Sequence, residues 1–199
     1  MVIRAVIFDW GGTISRGNVL EGFLDKMEVH ASLGREFLRG AYEKENKKYL
    51  LGKIGGREYW KNFSELSGIK KSPGFFQKKF LESSRADPKM LNLVRRVKMK
   101  CKVALLSDNF NEMEDFIEKE YRIKSLFNAI ALSNREGVKK PSRKFFRIIL
   151  ERLGLKPDEC IFIDDKIEYV NEARKMGITS IHFKGRPGLE KRLRDYGLI

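Results

Sequence analysis

Short apolar runs, each closed by polar or glycine residues, alternate along the chain with stretches whose apolar side chains recur every three or four positions. Residues 2–8 form the first run, rich in β-branched side chains, and stop abruptly at Asp9, Trp10, Gly11, Gly12 and Thr13. Residues 103–106 form a second, ending at Ser107, Asp108 and Asn109, and residues 128–132 a weaker third. Residues 160–163, closed by Asp164 and Asp165, form a fourth, and residues 179–183 a fifth. Such runs predict strands buried on both faces. Asp87 and Pro88 read as the cap and first residue of a helix whose inward face is Met90, Leu91, Val94 and Val97. Pro141 is expected to open another, with Phe145, Ile148, Ile149 and Leu153 on one stripe and Gly154 as its stop. Strands alternating with such helices predict an α/β fold, a doubly wound parallel sheet.

Residues 16–85 break this rhythm. They hold aromatic and aliphatic side chains at helical spacing (Phe37, Leu38, Tyr42, Tyr49, then Tyr59, Trp60, Phe63, Leu66) and no convincing strand. The stretch reads as a helical insertion after the first strand, with a turn at residues 52–56 and a return linker at 83–87. The expected organisation is a core of residues 1–15 and 86–199 and a cap of residues 16–85, with short hinges between them.

Composition narrows the setting more than the chemistry. Lys and Arg number 41 against 27 Asp and Glu, a net charge of +14 that permits an anionic partner without choosing one. The basic pairs Lys70-Lys71, Lys78-Lys79 and Arg95-Arg96 are dispersed, and Phe76 and Phe80 beside the second have the i, i+4 spacing of a buried helix face. Nucleic acid is therefore not the expected primary partner, and a catalytically weak protein binding an anionic partner or nucleic acid through this basic surface stands as the alternative. The two cysteines, Cys101 and Cys160, suit neither a zinc site nor a disulfide scaffold. No apolar run approaches the ~20 residues of a spanning helix, and Arg4 and Asp9 interrupt the first run too early for a secretory signal. A cytoplasmic protein without a membrane partner is expected, as monomer or homodimer. Abundant Lys, Arg and Glu with the single Gln77 fit a heat-adapted, thermophilic source.

Ligands of open α/β sheets bind at the carboxyl ends of the strands, and the suggestive polar residues fall there. Asp9 follows the first run, Ser107 the second, and Asp164 and Asp165 the fourth, while Lys140 precedes the helix after the third. Singly, Asp9 reads as a turn residue, Ser107 as an N-cap and Lys140 as a solvated lysine. Together they suit phosphoryl transfer, with a carboxylate nucleophile, carboxylates for a divalent metal, and a hydroxyl and ammonium for phosphate oxygens.

The ordered set resembles the haloacid dehalogenase-like (HAD) hydrolase superfamily. Its four motifs read Val6-Ile7-Phe8-Asp9-Trp10-Gly11-Gly12-Thr13, Ala104-Leu105-Leu106-Ser107-Asp108-Asn109, Gly137-Val138-Lys139-Lys140-Pro141 and Ile161-Phe162-Ile163-Asp164-Asp165. The likeness continues through Glu168, Val170, Ala173, Gly177 and Ile178 and covers residues 1–15 and 86–185. In the insertion, Gly52, Lys53 and Ile54 followed by Glu58, Tyr59 and Trp60 look like a cap segment of the sugar-phosphate phosphatase branch. The resemblance implies a Rossmann-like core, Mg²⁺ as cofactor and a small phosphorylated metabolite as substrate. It makes Asp9 the nucleophile, assisted by Ser107 and Lys140. It places Trp10, Gly11, Ser107, Asp108 and Lys140 about the phosphoryl group, and Asp9, the Gly11 carbonyl, Asp164 and Asp165 about the metal.

One position departs from that pattern. Phosphatases of this family normally carry a second Asp two residues after the nucleophile, as general acid and base, and here the position is Gly11. The metal-binding carbonyl survives, but the proton donor, worth about 10²–10⁴-fold, does not. Dehalogenases also lack this Asp but do not keep the acidic pair of the fourth motif. Phosphonoacetaldehyde hydrolases lack it too, and use a cap lysine as Schiff base, for which Lys53 is the candidate here. His30 in the cap, His182, Glu21 and Asp25 are the candidates for a substitute acid. Tyr169 stands where relatives often have Asn.

Overall fold

The computed structural model describes residues 2–199; position 1, within the expected core segment, lies outside them. The chain opens with β1 (Ala5–Phe8) and then runs through four helices, α1 (Val19–Glu28), α2 (Arg35–Leu50), α3 (Gly56–Ser67) and α4 (Pro73–Ser83). It returns with α5 (Pro88–Lys98) and β2 (Lys102–Ser107), followed by α6 (Asn111–Tyr121), the single turn α7 (Ile123–Leu126) and β3 (Ala129–Leu132). The turn α8 (Ser133–Glu136), α9 (Arg143–Leu153), β4 (Cys160–Asp164), α10 (Ile167–Lys175), β5 (Thr179–His182) and α11 (Arg186–Asp195) complete it. The strands form one parallel sheet in the order β3-β2-β1-β4-β5. The doubly wound α/β architecture is the one that the alternation of runs predicts.

Side-chain alternation along the strands separates two cores. Val6 and Phe8 of β1, Val103 and Leu105 of β2, and Ile161 and Ile163 of β4 face α5 and α11. Ala5 and Ile7, Ala104 and Leu106, and Cys160 and Phe162 face the other way, onto Phe145, Phe146 and Ile149 of α9 and Ala173 of α10. The first core runs on through Trp10 and Ile14 into the four-helix insertion, where Phe23, Tyr42, Trp60, Phe63, Phe76 and Phe80 pack ring against ring. Ser15 and Ala86 form an antiparallel bridge where the chain leaves and re-enters the sheet domain. The buried indole of Trp10 donates to the Ser84 carbonyl at the same joint.

Two local expectations are corrected. Pro141 does not open a helix, since α9 begins at Arg143 after Ser142. The Asp108 carboxylate accepts from the Lys140 amide at 2.9 Å, which holds residues 140 and 141 in a turn ahead of the helix. Phe37 is half exposed because the inward stripe of α2 runs through Leu38, Ala41, Tyr42 and Tyr49 instead. Lys140, which by itself would read as a solvated lysine, is among the most completely buried of the described side chains. No helix of the described residues is long and apolar enough to cross a membrane.

Candidate functional site

Strand order reverses at the β1–β4 pair, so a crevice opens where their carboxyl ends diverge. Register does the rest. Phe8 pairs with Ile163, and the Asp9 amide donates to the Ile163 carbonyl at 3.0 Å, so Asp9 and Asp164 stand side by side. Both continue the alternation that faces α9 and α10, and the turn before α9 carries Lys140 into the gap between them. The Lys140 ammonium donates to Asp9 Oδ1 and to Asp164 Oδ2, each at 2.6 Å. All three side chains are buried.

Burial of this much charge perturbs each group. Burial pushes the Asp9 carboxyl up to about 8, with Lys140 pulling the other way and Asp164 adding to the rise. Burial alone would make the Lys140 ammonium easier to deprotonate, but Asp164, Asp9 and Asp108 outweigh it and hold the proton. Burial, then Asp164, raises the neighbouring Asp165 carboxyl. One ammonium thus does not suffice to hold all of these carboxyls in their charged form.

A divalent cation fits that surplus. Asp9, Asp164 and Asp165 each present a carboxylate oxygen within 4.8 Å of the others. Asp164 is committed at both oxygens, to Lys140 and to the Lys166 amide at 2.8 Å. Asp165 Oδ1 is buried without a hydrogen-bond partner. The Gly11 carbonyl accepts no hydrogen bond among the described residues, whereas the Trp10 carbonyl accepts three. The unpaired oxygens are therefore hard ligands of the kind that Mg²⁺ takes.

The two glycines of the first motif serve different ends. Gly12 has φ +76° and a Cβ there would lie 2.1 Å from Asp165 Oδ2, so the carboxylate rests against bare backbone. At Gly11 a Cβ would meet only Val19 Cγ2 at 3.7 Å, so a side chain fits.

Ser107 ends β2, buried, and does not cap α6, which begins after Phe110. Its hydroxyl makes only a 3.5 Å contact to the Asp108 carbonyl. The Asp108 carboxylate supports the turn at Lys140, accepts from the Tyr169 hydroxyl at 3.3 Å, and lies 3.6 Å from the Lys139 ammonium. The Tyr169 ring in turn lies 5.1 Å from the Lys140 ammonium. A side chain in place of the expected Asn thus packs behind the lysine and holds Asp108. Trp10 turns its side chain into the hinge, leaving only its main chain toward the crevice.

Above the crevice lies a cavity of about 360 Å³, walled by Gly11, Asp108, Asp165, Lys166 and Tyr169 on one side and by α1 and α2 on the other. Helix α2 is fastened over it from the sheet domain. Glu112 of α6 accepts from the Tyr49 hydroxyl at 2.8 Å and the Gly56 amide at 3.0 Å, and the Ser133 hydroxyl donates to the Leu50 carbonyl at 2.6 Å. A larger, open hollow of about 970 Å³ lies at the other end of the sheet, beside Arg4 and Glu159. It holds no convergent buried charges, so the smaller cavity is the functional candidate.

The structure brings Asp9, Ser107, Lys140, Asp164 and Asp165 to this crevice, but not every sequence candidate. Lys53 is exposed in the turn after α2, and His30 is exposed against Phe75 at the far end of α1; neither lines the cavity. His182 Nε2 lies 3.0 Å from the Asp165 carbonyl, on its main-chain side. Glu21 reaches the cavity wall but is bound by Arg35 and Arg39, which hold its carboxyl below the usual range. Asp25 is also held by Arg35. The roles of Gly12, Tyr169 and Glu112 escape sequence reasoning; the doubled glycine carried a signal only as a turn and Tyr169 only as a departure from the family's usual Asn, while Glu112 carried none.

A sequence model described as haloacid dehalogenase-like hydrolase matches residues 3–177. A sesquiterpene phosphatase of Aspergillus oryzae is 26% identical, over 90% of this chain and 89% of its own. Mouse acyl-CoA dehydrogenase family member 10 is 28% identical over 89% of this chain, which spans only 18% of that protein. A HAD family enzyme of Bacteroides thetaiotaomicron, solved as a magnesium complex, superposes with a TM-score of 0.78 at 21% identity, covering 92% of this chain and 94% of that one. A predicted HAD-like hydrolase of Porphyromonas gingivalis gives 0.78 at 19% identity, covering 98% and 99%. At these identities the solved structures establish the fold alone.

Proposed function

The chain belongs to the haloacid dehalogenase-like hydrolases, and from that premise we propose that it is a Mg²⁺-dependent phosphohydrolase acting on a small phosphomonoester. The observation that carries the reading is the single buried ammonium held at 2.6 Å from both Asp9 and Asp164. Lys140 fixes the Asp9 carboxylate in place and presents positive charge where phosphate oxygens arrive. The free Asp9 oxygen attacks phosphorus as the bond to the leaving oxygen breaks, and the departing alkoxide takes its proton from water. Water then attacks the phosphorus of the phosphoaspartyl anhydride, gives up a proton to solvent, and releases phosphate and the Asp9 carboxylate. Ser107, with no close protein acceptor, donates to a phosphate oxygen throughout.

Asp9, the Gly11 carbonyl and Asp165 would hold Mg²⁺, with Asp164 behind them. Bound there, the ion neutralises charge that carboxylates and a phosphate dianion would otherwise oppose. The named phosphatase relative and the magnesium complex of the structural neighbour support this reading. Gly11 supplies no proton to the leaving alcohol, so substrates with good leaving groups turn over best. Lys53 stands outside the cavity, and no observation favours Schiff-base chemistry.

Hydrolysis of p-nitrophenyl phosphate tests the proposal. The parent with Mg²⁺ is expected to release phosphate, excess EDTA to stop it, and Asp9→Asn to be inactive. An inert parent, or Asp9→Asn at full rate, overturns it.

A further inference from the structure

The chain passes between cap and sheet domain near Ser15 and Ala86, so the cap can swing about that joint once its other footing lets go. That footing is the turn between α2 and α3, where residues 49–56 rest on the segments that follow β2 and β3. Its fit is close. A Cβ at Gly52, where φ is +68°, would lie 2.7 Å from the Asn134 carbonyl oxygen, and one at Gly56 would lie 2.2 Å from Glu112 Oε1. The Tyr49 ring stacks on Phe110 with centroids 4.3 Å apart. Leu50 and Phe110 both belong to the cavity wall.

One buried hydroxyl joins this footing to the crevice. Ser133 Oγ accepts from the Asn109 amide at 2.8 Å and donates to the Leu50 carbonyl of the cap. The Asn109 carbonyl lies 3.1 Å from the same oxygen, but a hydroxyl has one proton and serves one acceptor at a time. Two arrangements follow. With the cap docked, the bonds run in series from Asn109 through Ser133 to Leu50, and a hydroxyl that donates accepts more strongly. With the cap away, the proton turns back to Asn109 and that reinforcement is lost. Asn109 directly follows Ser107 and Asp108, and Ser133 heads the segment that leads to Lys140, whose amide Asp108 holds.

Resting on the reading that Ser107 and Lys140 hold the phosphoryl group, we propose that Ser133 is a positioning residue that couples docking of the cap to order in the loop of Ser107, Asp108 and Asn109. Docking of the cap then tightens phosphate, and phosphate tightens the cap by the same factor.

Amide hydrogen exchange followed by NMR tests the coupling from the cap side, where Gly56→Ala and Tyr49→Phe disturb the footing and leave the loop unaltered. Amides of residues 107–110 are expected to exchange about tenfold faster in these ligand-free variants, with β1 and β4 at parental rates. Parental exchange at 107–110 in both variants overturns the proposal. In the other direction, inorganic phosphate with Mg²⁺ is expected to slow exchange at residues 49–56 of the parent but not of Ser133→Ala. Equal slowing in the two overturns it as well. With p-nitrophenyl phosphate, Ser133→Ala should raise KM about tenfold and change kcat little; a lower Tm at parental KM would make Ser133 merely structural. Ester turnover with unlinked exchange sinks the coupling and keeps the hydrolase, whereas linked exchange without turnover of any ester does the reverse.

Discussion

Two clusters in this protein are built from the same materials, basic side chains among carboxylates, and do opposite things. In the sheet crevice Lys140 joins Asp9 and Asp164, with side chains 2%, 8% and 0% exposed. In the cap Arg35 joins Glu21, Asp25 and Glu28, with side chains 29%, 40%, 67% and 41% exposed. Water screens the second cluster, and each of its members could be solvated almost as well alone. In the first, no member has that alternative. Each holds the others in place, and the negative surplus becomes an affinity for a cation or for positive charge. The lesson is that ion-pair geometry does not reveal function; the cost of being without a partner does.

The comparison breaks most visibly at Lys140. Lys140→Met leaves two buried carboxylates facing each other, and about 3–5 kcal/mol of stability should go, with phosphatase turnover falling about 10²–10³-fold. Chemical denaturation of Lys140→Met beside Lys140→Met/Asp164→Asn checks the cause, since removing both partners should recover part of the loss. Equal stability of Lys140→Met and parent would place this cluster with the screened one.

Restoring a side chain at Gly11 sharpens the chemical side. Gly11→Asp has room against Val19 and is expected to raise alkyl phosphate turnover by up to about 10²-fold, with p-nitrophenyl phosphate changing much less. Equal rates for both classes would mean that another group already supplies the proton. Gly12→Ala is the contrasting substitution. Its φ of +76° and the Asp165 carboxylate oppose a methyl group, so a loss of about 1–2 kcal/mol and weaker Mg²⁺ binding, read by calorimetry, are expected.

The smallest effect belongs to the cap cluster. Arg35→Gln should shift Tm little, and less still in 1 M salt. Arg35 and Arg39 hold the Glu21 carboxyl below its ordinary value of 4.5, so its contribution exists above pH 4.5 and fades as pH falls through the folded-state value. Parent and variant melting curves should therefore converge in acid. A gap that widens in acid would contradict the assignment.

Much of the architecture is legible because strands buried on both faces write themselves as apolar runs. The third run, the weakest by composition, still forms β3 at the sheet edge. The runs ended a residue early at Ser107 and Asp164, since a polar residue closes an apolar pattern while its backbone still pairs. The order of Asp9, Ser107, Lys140 and Asp164-Asp165 along the chain was likewise enough to expect one crevice. Helix periodicity also put Tyr42, Trp60, Phe63, Phe76 and Phe80 inside the cap, but could not exclude Phe37, which is only one position off the stripe.

Where the reading stopped, the missing quantity was a distance or an exposure. Lys140 in sequence is one lysine among a +14 surplus. Only packing of α9 on the sheet shows that it has no water to retreat to. Nothing in the letters distinguishes Glu112, which fastens α2, from other helical glutamates. The sequence by itself determined which chemical groups stand at the strand ends, because local pattern and chain order suffice for that. The tertiary structure alone decided which of those groups are deprived of solvent and which polar atoms lack partners. Desolvation is a property of everything packed around a residue, and it separates the carboxylates and lysine of the crevice from their solvated counterparts elsewhere.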